Sequence, residues 1–457
     1  MIVTVGPSEE RQMQNIEAGI ADVETDGVRA VHACRVCGNP HLHPVLDLGV
    51  MALTGRFPAP DEASPPAWPV TLVRCDTDAV PQACGTSQLL HDYDQTAFFG
   101  SFYGYRSGVT ETMRNHLGGK ATDLARRTGL QSGDVVIDIG SNDGTLLKAY
   151  SIDGLTRIGV DPSAAPFVSE YPTDAQLIVD FFPCPALGTA LGSRKAKIVT
   201  SVAMFYDVPD PVSFARTVKE VLARNGIWEI ELAYFPRIIE ILGYDTTVHE
   251  HVMYYGLTQL DWIARAASLQ IVHAEENTIN GASIRVLLTH AESDTPVDGT
   301  VATLLEYEAS LGWSTKRPYE AFAMRVFASR DVLLGLFSRW RKEGRRVLGY
   351  GASTKGNTVL QYCGIGRSDI PAILERYPKK FGLTTPGTGI PIIPEEEGKA
   401  MNPDVLFVLP WQFRAEIEKR EAAWVAAGGI LLFAFPTVEL ITRDGVVKVG
   451  VLAGGSV

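Results

Sequence analysis

Asp134-Val-Val-Ile-Asp-Ile-Gly-Ser-Asn-Asp-Gly-Thr-Leu-Leu147 is the stretch on which the reading of this chain turns. Val135 to Ile139 is rich in β-branched apolar residues, the pattern of a strand buried on both faces of a parallel sheet. It carries an acid near its end, Asp138, and runs through a glycine-rich turn, Gly140 to Gly144, into a helical pattern at Thr145. Strand, turn and helix together bring backbone N–H groups and a helix N-terminus to the carboxyl edge of a sheet. Glycines alone fit an ordinary βα turn equally well. Two further features separate the readings. Asn142 stands where GxGxxG requires its second glycine, which disfavours a loop that hugs a pyrophosphate. One strand later, Leu155-Thr-Arg-Ile-Gly-Val-Asp-Pro162 ends in Asp161, where a doubly wound sheet hydrogen-bonds a ribose. An acidic glycine loop followed by a second acid suits a neutral or cationic nucleoside better than a polyphosphate.

This pairing resembles the cofactor site of class I S-adenosylmethionine (SAM) methyltransferases. The resemblance implies SAM held by Asp138, Gly140, Ser141, Asn142, Asp143, Gly144, Asp161 and Pro162. A third acid, Asp180, is flanked by Phe181 and Phe182; in such folds a residue here addresses the adenine amine while rings cover its face. Lys197 to Phe205 reads as the next strand, Tyr206 to Pro211 as the loop at its carboxyl end, and Val212 to Leu222 as a helix before the strand Asn225 to Glu231. The alternation predicts a mostly parallel sheet with its site along one edge.

At 457 residues the chain has room for two or three domains. No apolar run is long enough to span a membrane, and the polar, acidic N-terminus lacks the apolar segment of a secretion signal. A net charge of −12 with no Lys/Arg cluster argues against nucleic-acid binding. Six cysteines in so long a chain fit a reducing cytoplasm rather than a disulfide scaffold. Four of them form a pattern. Cys34-Arg-Val-Cys37-Gly38 is a knuckle that lets two sulfurs face one ion, and Cys75 and Cys84 are the candidate partners. Val45 to Gly49 and Trp68 to Arg74 read as short strands of a zinc ribbon between the pairs. A redox CxxC is the rival, but its βαβ context is missing. Four thiolates leave no open coordination position, so the expected metal is structural.

Phe102-Tyr-Gly-Tyr-Arg-Ser-Gly108 precedes a helix from Glu111 to Gly129; it is either a lid over the glycine loop or a packed linker. Tyr244-Asp-Thr-Thr-Val-His-Glu-His-Val-Met-Tyr-Tyr255 brings two imidazoles and a carboxylate onto one short turn. The histidines are two apart, so the HExxH zinc-protease pattern fails. A polar surface turn and an acid/base site that removes a carbon-bound proton beside a carbonyl are the readings left. Asn280 to Val286 reads as a turn into a strand that presents Arg285, and Val301 to Lys342 as largely helical. A second α/β unit follows: a strand at Arg346 to Gly351, then Ala352-Ser-Thr-Lys-Gly-Asn357, a glycine loop with hydroxyls and one lysine that suits a phosphate. It is not GxxxxGK[ST]. Two more buried strands are expected at Asp404 to Trp411 and Gly429 to Phe435.

In this order, the cysteine module, DIGSNDG, GVDP, HEH with YY, GYGASTKGN and TPGT look like the sugar C-methyltransferase family, over about residues 31 to 440. The resemblance implies a class I methyltransferase Rossmann-like domain flanked by a small N-terminal zinc-binding domain and a C-terminal Rossmann-like α/β domain. The expected boundaries are a mobile leader at 1–30, the zinc-binding domain at 31–108, the SAM domain at 109–298 and the substrate-binding domain at 299–457. Cys34, Cys37, Cys75 and Cys84 would hold zinc. His251 would be the base, Glu250 its supporting acid, and Tyr103 or Tyr105 would lie near the reacting carbons. Arg285, Gly351, Ser353, Lys355 and Asn357 would meet the substrate, a nucleotide-linked 4-keto-6-deoxysugar. Val248 and MFYDVPDP (Met204 to Pro211) depart from the family pattern. The expected protein is a cytoplasmic monomer or weak homodimer without nucleic-acid or membrane partners. The alternative is a SAM-dependent methyltransferase or enolising isomerase acting on a different activated small molecule.

Overall fold

The structure is a computed structural model describing residues 27–100 and 103–450. The expected leader, up to residue 26, and Phe102 lie outside the described residues. The N-terminal part is built from β1 (Val28–Ala30), β2 (Leu42–Ala52), β3 (Ala67–Cys75), β4 (Ser87–Leu89) and β5 (His91–Tyr93). β2, β3 and β4 pair antiparallel in sequence order, while β1 and β5 form a separate ribbon. The two expected short strands fall inside β2 and β3.

The central part opens with α1 (Glu111–Thr128), capped by the Thr110 hydroxyl accepting from the Met113 N–H and closed by Gly129 at φ 59°. There follow β6 (Val135–Ile139), α2 (Thr145–Ala149), β7 (Thr156–Val160), β8 (Ala175–Ile178), α3 (Pro185–Leu191), β9 (Ala196–Val202), α4 (Pro211–Val221), β10 (Leu222–Ala233), α5 (Phe235–Glu240), β11 (Met253–Tyr254), α6 (Leu257–Ala266), β12 (Leu269–Asn277) and β13 (Ser283–His290). Seven of these strands make one sheet in the order β12-β13-β10-β9-β6-β7-β8. β8, β7, β6, β9 and β10 run parallel, and β13 is antiparallel to both of its neighbours. All five residues of β6 are buried, as its unbroken apolar run requires. The strand order reverses between β6 and β9, which puts a ligand crevice at their carboxyl ends.

β11 does not join this sheet. It pairs antiparallel with β4, Met253 opposite Gln88 and Tyr254 opposite Ser87, and becomes the fourth strand of the N-terminal sheet.

The C-terminal part consists of α7 (Gly299–Ser310), α8 (Arg317–Glu343), β14 (Val347–Tyr350), α9 (Thr354–Cys363), β15 (Ile373–Glu375), β16 (Ile392–Pro394), α10 (Glu395–Ala400), β17 (Val405–Val408), α11 (Arg414–Ala426), β18 (Ile430–Phe433), β19 (Glu439–Thr442) and β20 (Gly445–Lys448). Its sheet runs β16-β15-β14-β17-β18-β19-β20, parallel up to β18, with a second reversal between β14 and β17. A single buried apolar cluster extends from Val28 to Leu440 and ties the three parts together. At the seam, the Tyr244 ring packs on Tyr362 and Phe435, and Asn357 Nδ2 donates to the Thr54 carbonyl at 2.7 Å.

Candidate active site

A cavity of about 280 Å³ opens where β6, β7 and β9 end. Asp138, Gly140, Ser141, Asn142, Asp161, Pro162, Phe181 and Phe182 line it, as do Tyr103 and Tyr105. Gly140 sits at φ +74°, and a Cβ there would lie 2.9 Å from Met204 Cγ, so the turn excludes a side chain on both counts. Asp161 is clamped by two backbone donors, the Asn142 N–H at 2.8 Å and the Ser163 N–H at 2.6 Å. Asp138 accepts from the Thr200 hydroxyl at 2.6 Å. Burial, reinforced by neighbouring acids, pushes its carboxyl up to about 7.

Three expected cofactor residues stand elsewhere. Asp143 points away from the cavity, accepting from the Gly108 N–H at 2.8 Å and the Thr145 hydroxyl at 2.6 Å. Gly144, at φ +72°, makes room for the Tyr171 ring. Asp180 is exposed and accepts from the N–H of Phe181 at 2.8 Å. Sequence reasoning also missed Glu231, Ile279 and Asn280, which line the cavity from β10 and from the β12–β13 turn. Only strand pairing brings those segments here, so no local motif marks them.

The aromatic segment is strapped to the glycine loop. Asn142 Nδ2 donates to the Tyr105 carbonyl at 3.0 Å, its Oδ1 accepts from the Ser107 N–H at 2.9 Å, and Asp143 holds Gly108. Among the described residues the cavity wall contains Asp138, Asp161, Asp207 and Glu231 but no Lys, Arg or His. That acidic, acceptor-rich lining disfavours phosphate and fits a ligand with a ribose diol and a positive charge, which is the chemistry of SAM.

The zinc expectation passes its own test. All four ligand sulfurs of Cys34, Cys37, Cys75 and Cys84 lie within 4.8 Å of one another, with Cys34–Cys84 at 3.4 Å and Cys37–Cys75 at 3.5 Å. These separations are far beyond the roughly 2.05 Å of a disulfide. They approach the edge of about 3.8 Å that a tetrahedron with Zn–S bonds near 2.3 Å would have. Asn39 Nδ2 and the Val36 N–H each point at a sulfur at 3.4 Å, which favours the thiolate form.

The HEH turn divides its two imidazoles between different tasks. His249 is fully buried against Trp68, Tyr93 and Phe98, and its Nε2 donates to the Trp68 carbonyl at 3.0 Å. His251 faces the other way, into a small recess with Tyr206, Thr246 and Tyr254. Its Nδ1 donates to the Thr246 carbonyl at 2.9 Å, which leaves the lone pair on Nε2. Burial lowers its pKa to about 4, so the ring is neutral at physiological pH. Tyr206 packs on it with ring centroids 4.2 Å apart and also lines the main cavity, joining the two spaces. Tyr103 is a half-buried neutral phenol on the cavity wall, its pKa raised first by desolvation and then by Asp207 and Glu250. Tyr105 is 48% exposed at the cavity mouth.

Glu250 makes no hydrogen bond to His251, so it is not the imidazole's partner; Thr246 is. Glu250 Oε2 is buried without a partner, as is Asp207 Oδ1. Burial raises both carboxyls, and the Glu250 charge raises Asp207 further. Arg285 is a further correction. It is buried in a charge cluster, with Glu229 at 2.7 Å and Glu275 and Asp123 at 2.9 Å, and does not reach the cavity. Ser353 caps α9 through the Gly356 N–H at 3.0 Å, Gly351 at φ +82° clears Pro410, and Asn357 is occupied by Thr54. Lys355 alone of that group touches the cavity wall, donating to the Asn280 carbonyl at 3.1 Å.

Three family models match the chain in series: a zinc binding domain at residues 34–99, a methyltransferase domain at 112–274 and a C-methyltransferase C-terminal domain at 278–436. C-methyltransferase NovU of Streptomyces niveus is 28% identical over 424 residues, covering 92% of this chain and 99% of that one. The chain is a SAM-dependent C-methyltransferase. Ubiquinone biosynthesis O-methyltransferase of Histophilus somni shares 27% identity over 99 residues, 20% of this C-methyltransferase and 42% of that protein. A SAM-dependent methyltransferase structure from Clostridium acetobutylicum overlays with TM-score 0.31 and 11% identity, covering 39% of this chain and 92% of that one. At that score the overlay carries no argument. The fold assignment follows from the family models and the strand order.

Proposed function

We propose that this C-methyltransferase acts on the carbon beside the ketone of a nucleotide-linked (dTDP) 4-keto-6-deoxysugar, at C3, in deoxysugar biosynthesis. The observation that carries the reading is His251: a neutral imidazole with a free Nε2, next to a tyrosine that borders the cofactor cavity. His251 removes the proton alpha to the ketone. Negative charge then develops on the ketone oxygen, and the phenols of Tyr206 and Tyr103, kept neutral by burial, donate to it. Bound SAM supplies a methyl group on a sulfonium that departs as a neutral thioether, so one base is sufficient. Asp138, Asp161 and the glycine loop hold the cofactor, and Cys34, Cys37, Cys75 and Cys84 hold a structural zinc. Lys355 in the first turn of α9, with Lys380 nearby donating to the Ala352 carbonyl at 2.6 Å, supplies positive charge for the diphosphate away from the chemistry. The three parts act as zinc-binding, SAM-binding and substrate-binding domains, and the reducing cytoplasm suits six free cysteines.

The test is mass spectrometry of dTDP-linked 4-ketosugars, with amino or hydroxyl groups at C3, after incubation with SAM in deuterated water. The expected product is heavier by one methyl group and has no exchangeable proton left at that carbon. His251→Asn should abolish both deuterium uptake and methylation while SAM still binds; methylation by that variant would remove His251 from the base role.

A further inference from the structure

The expected base sits on a loop clamped to the N-terminal sheet, with Tyr255 bridging back to Tyr234 at the end of β10. Between α5 and α6 the chain leaves the central sheet, and β11 is the fourth strand of the sheet whose β3–β4 connection carries Cys75 and Cys84. Three contacts fix the loop to that sheet. The Leu89 N–H donates to the Val252 carbonyl at 2.9 Å, Met253 and Tyr254 pair with β4, and His249 Nε2 donates to the Trp68 carbonyl of β3 at 3.0 Å. Cys75 closes β3, its N–H bonded to the Thr86 carbonyl at 2.8 Å, and Cys84 Sγ lies 3.1 Å from the Thr86 hydroxyl. The sulfur cluster therefore pins one end of the β3–β4 pair while the loop is clamped farther along it.

His249 is an unusual choice for a purely apolar pocket. It has no exposed surface, its Nδ1 has no partner, and three rings surround it. A Phe or Leu would fill that space without the cost of burying an imidazole. What an aromatic hydrocarbon cannot supply is the directional N–H donor to Trp68. That bond sets the rotation of a turn whose next-but-one residue is His251, and the turn is tight: the His251 N–H donates to the Val248 carbonyl at 3.1 Å and the Val252 N–H to that of Glu250 at 3.2 Å.

We propose that His249 is a positioning residue, through which the zinc-held β3–β4 pair sets the orientation of His251 beside Tyr206. This rests on the reading of His251 as the base. Displacement of a reacting group by about 1 Å can reduce a rate roughly a hundredfold, so the effect should appear in the proton-abstraction step with little change in SAM affinity.

The test compares His249→Phe, which fills the pocket without a donor, with His249→Gln, whose amide can still donate to Trp68. Both are made in the full-length, zinc-loaded chain. Two readouts are taken: the SAM-independent rate of deuterium uptake by the dTDP-4-ketosugar, and the imidazole N–H resonance of His251 in histidine-labelled protein without substrate. The Phe variant should lose at least tenfold in deuterium uptake and shift or lose the His251 resonance at unchanged zinc stoichiometry. The Gln variant should recover most of both. An unmoved resonance and uptake in the Phe variant would overturn the proposal, as would losses that Gln fails to rescue or that accompany zinc release. If wild type takes up no deuterium from any ketosugar yet the resonance responds as described, the substrate reading falls and the positioning role stands.

Discussion

Acidifying the assay separates a buried catalytic imidazole from an exposed one. Burial depresses the His251 pKa from an ordinary 6.5 to about 4, because the charged ring would lose its hydration and the nearby Lys355 further disfavours it. The lowering favours the neutral, proton-accepting form, so activity should persist into acid and fall only as pH drops through about 4. At about pH 5.5 an ordinary imidazole would be only about 9% neutral, an elevenfold loss, whereas a group titrating near 4 stays about 97% neutral. Initial rates of deuterium uptake by the ketosugar, measured as kcat/KM from about pH 8 down to 5, report the base in the free enzyme. We expect a flat profile over that span and, for His251→Asn, a loss of about 10²- to 10⁴-fold at every pH. A midpoint near 6.5 would refute the reasoning, because the base would then be a solvated group and not His251 as the structure holds it.

Three further outcomes can be measured. Asp161→Asn removes the carboxylate expected to accept from the ribose diol, and since a hydrogen bond to a charged group is worth about 1.5–3 kcal/mol, SAM affinity by calorimetry should weaken roughly tenfold to a hundredfold. Arg285→Met strips one partner from Glu229, which has no exposed surface, and should cost about 3 kcal/mol in urea unfolding while leaving KM for the sugar unchanged. The stability difference between wild type and His249→Phe should move by about 1.4 kcal/mol in favour of the Phe variant between about pH 7.5 and about pH 5.5. The native imidazole titrates near 4 and the unfolded one near 6.5, so its stabilising contribution is present above 6.5 and declines as pH falls toward 4; a margin independent of pH would contradict it.

The glycine loop was legible because strand, turn and helix are adjacent in sequence, and β6 obeys its apolar run over every residue. The cysteine ligands were legible because thiols at knuckle spacing have few other uses, and the four sulfurs do converge. Roles that depend on what approaches from elsewhere in the chain were not. Arg285 looked like a substrate residue until β10 and β12 placed Glu229 and Glu275 against it. Asp143 and Asp180 share the motif's acidity, but one was taken by Gly108 and the other faces outward. Glu250 sits next to His251 in sequence, yet adjacent residues on a tight turn point apart, and the imidazole found its acceptor at Thr246. Glu231, in the expected strand Asn225 to Glu231, was left unassigned because nothing local shows which β10 residue ends over the cavity.

The strand exchange at β11 also bears on how such enzymes can be recombined. His249 and its acceptor Trp68 are 181 residues apart, and the family-model boundary falls between them. A chimera spliced at the sequence boundary near residue 100 would graft a foreign β4 edge and a foreign carbonyl onto the native turn. Residues 246–254 belong, for the purposes of inheritance, with the N-terminal cysteine segment: they should be transplanted together or not at all, and drift in one should be answered by drift in the other.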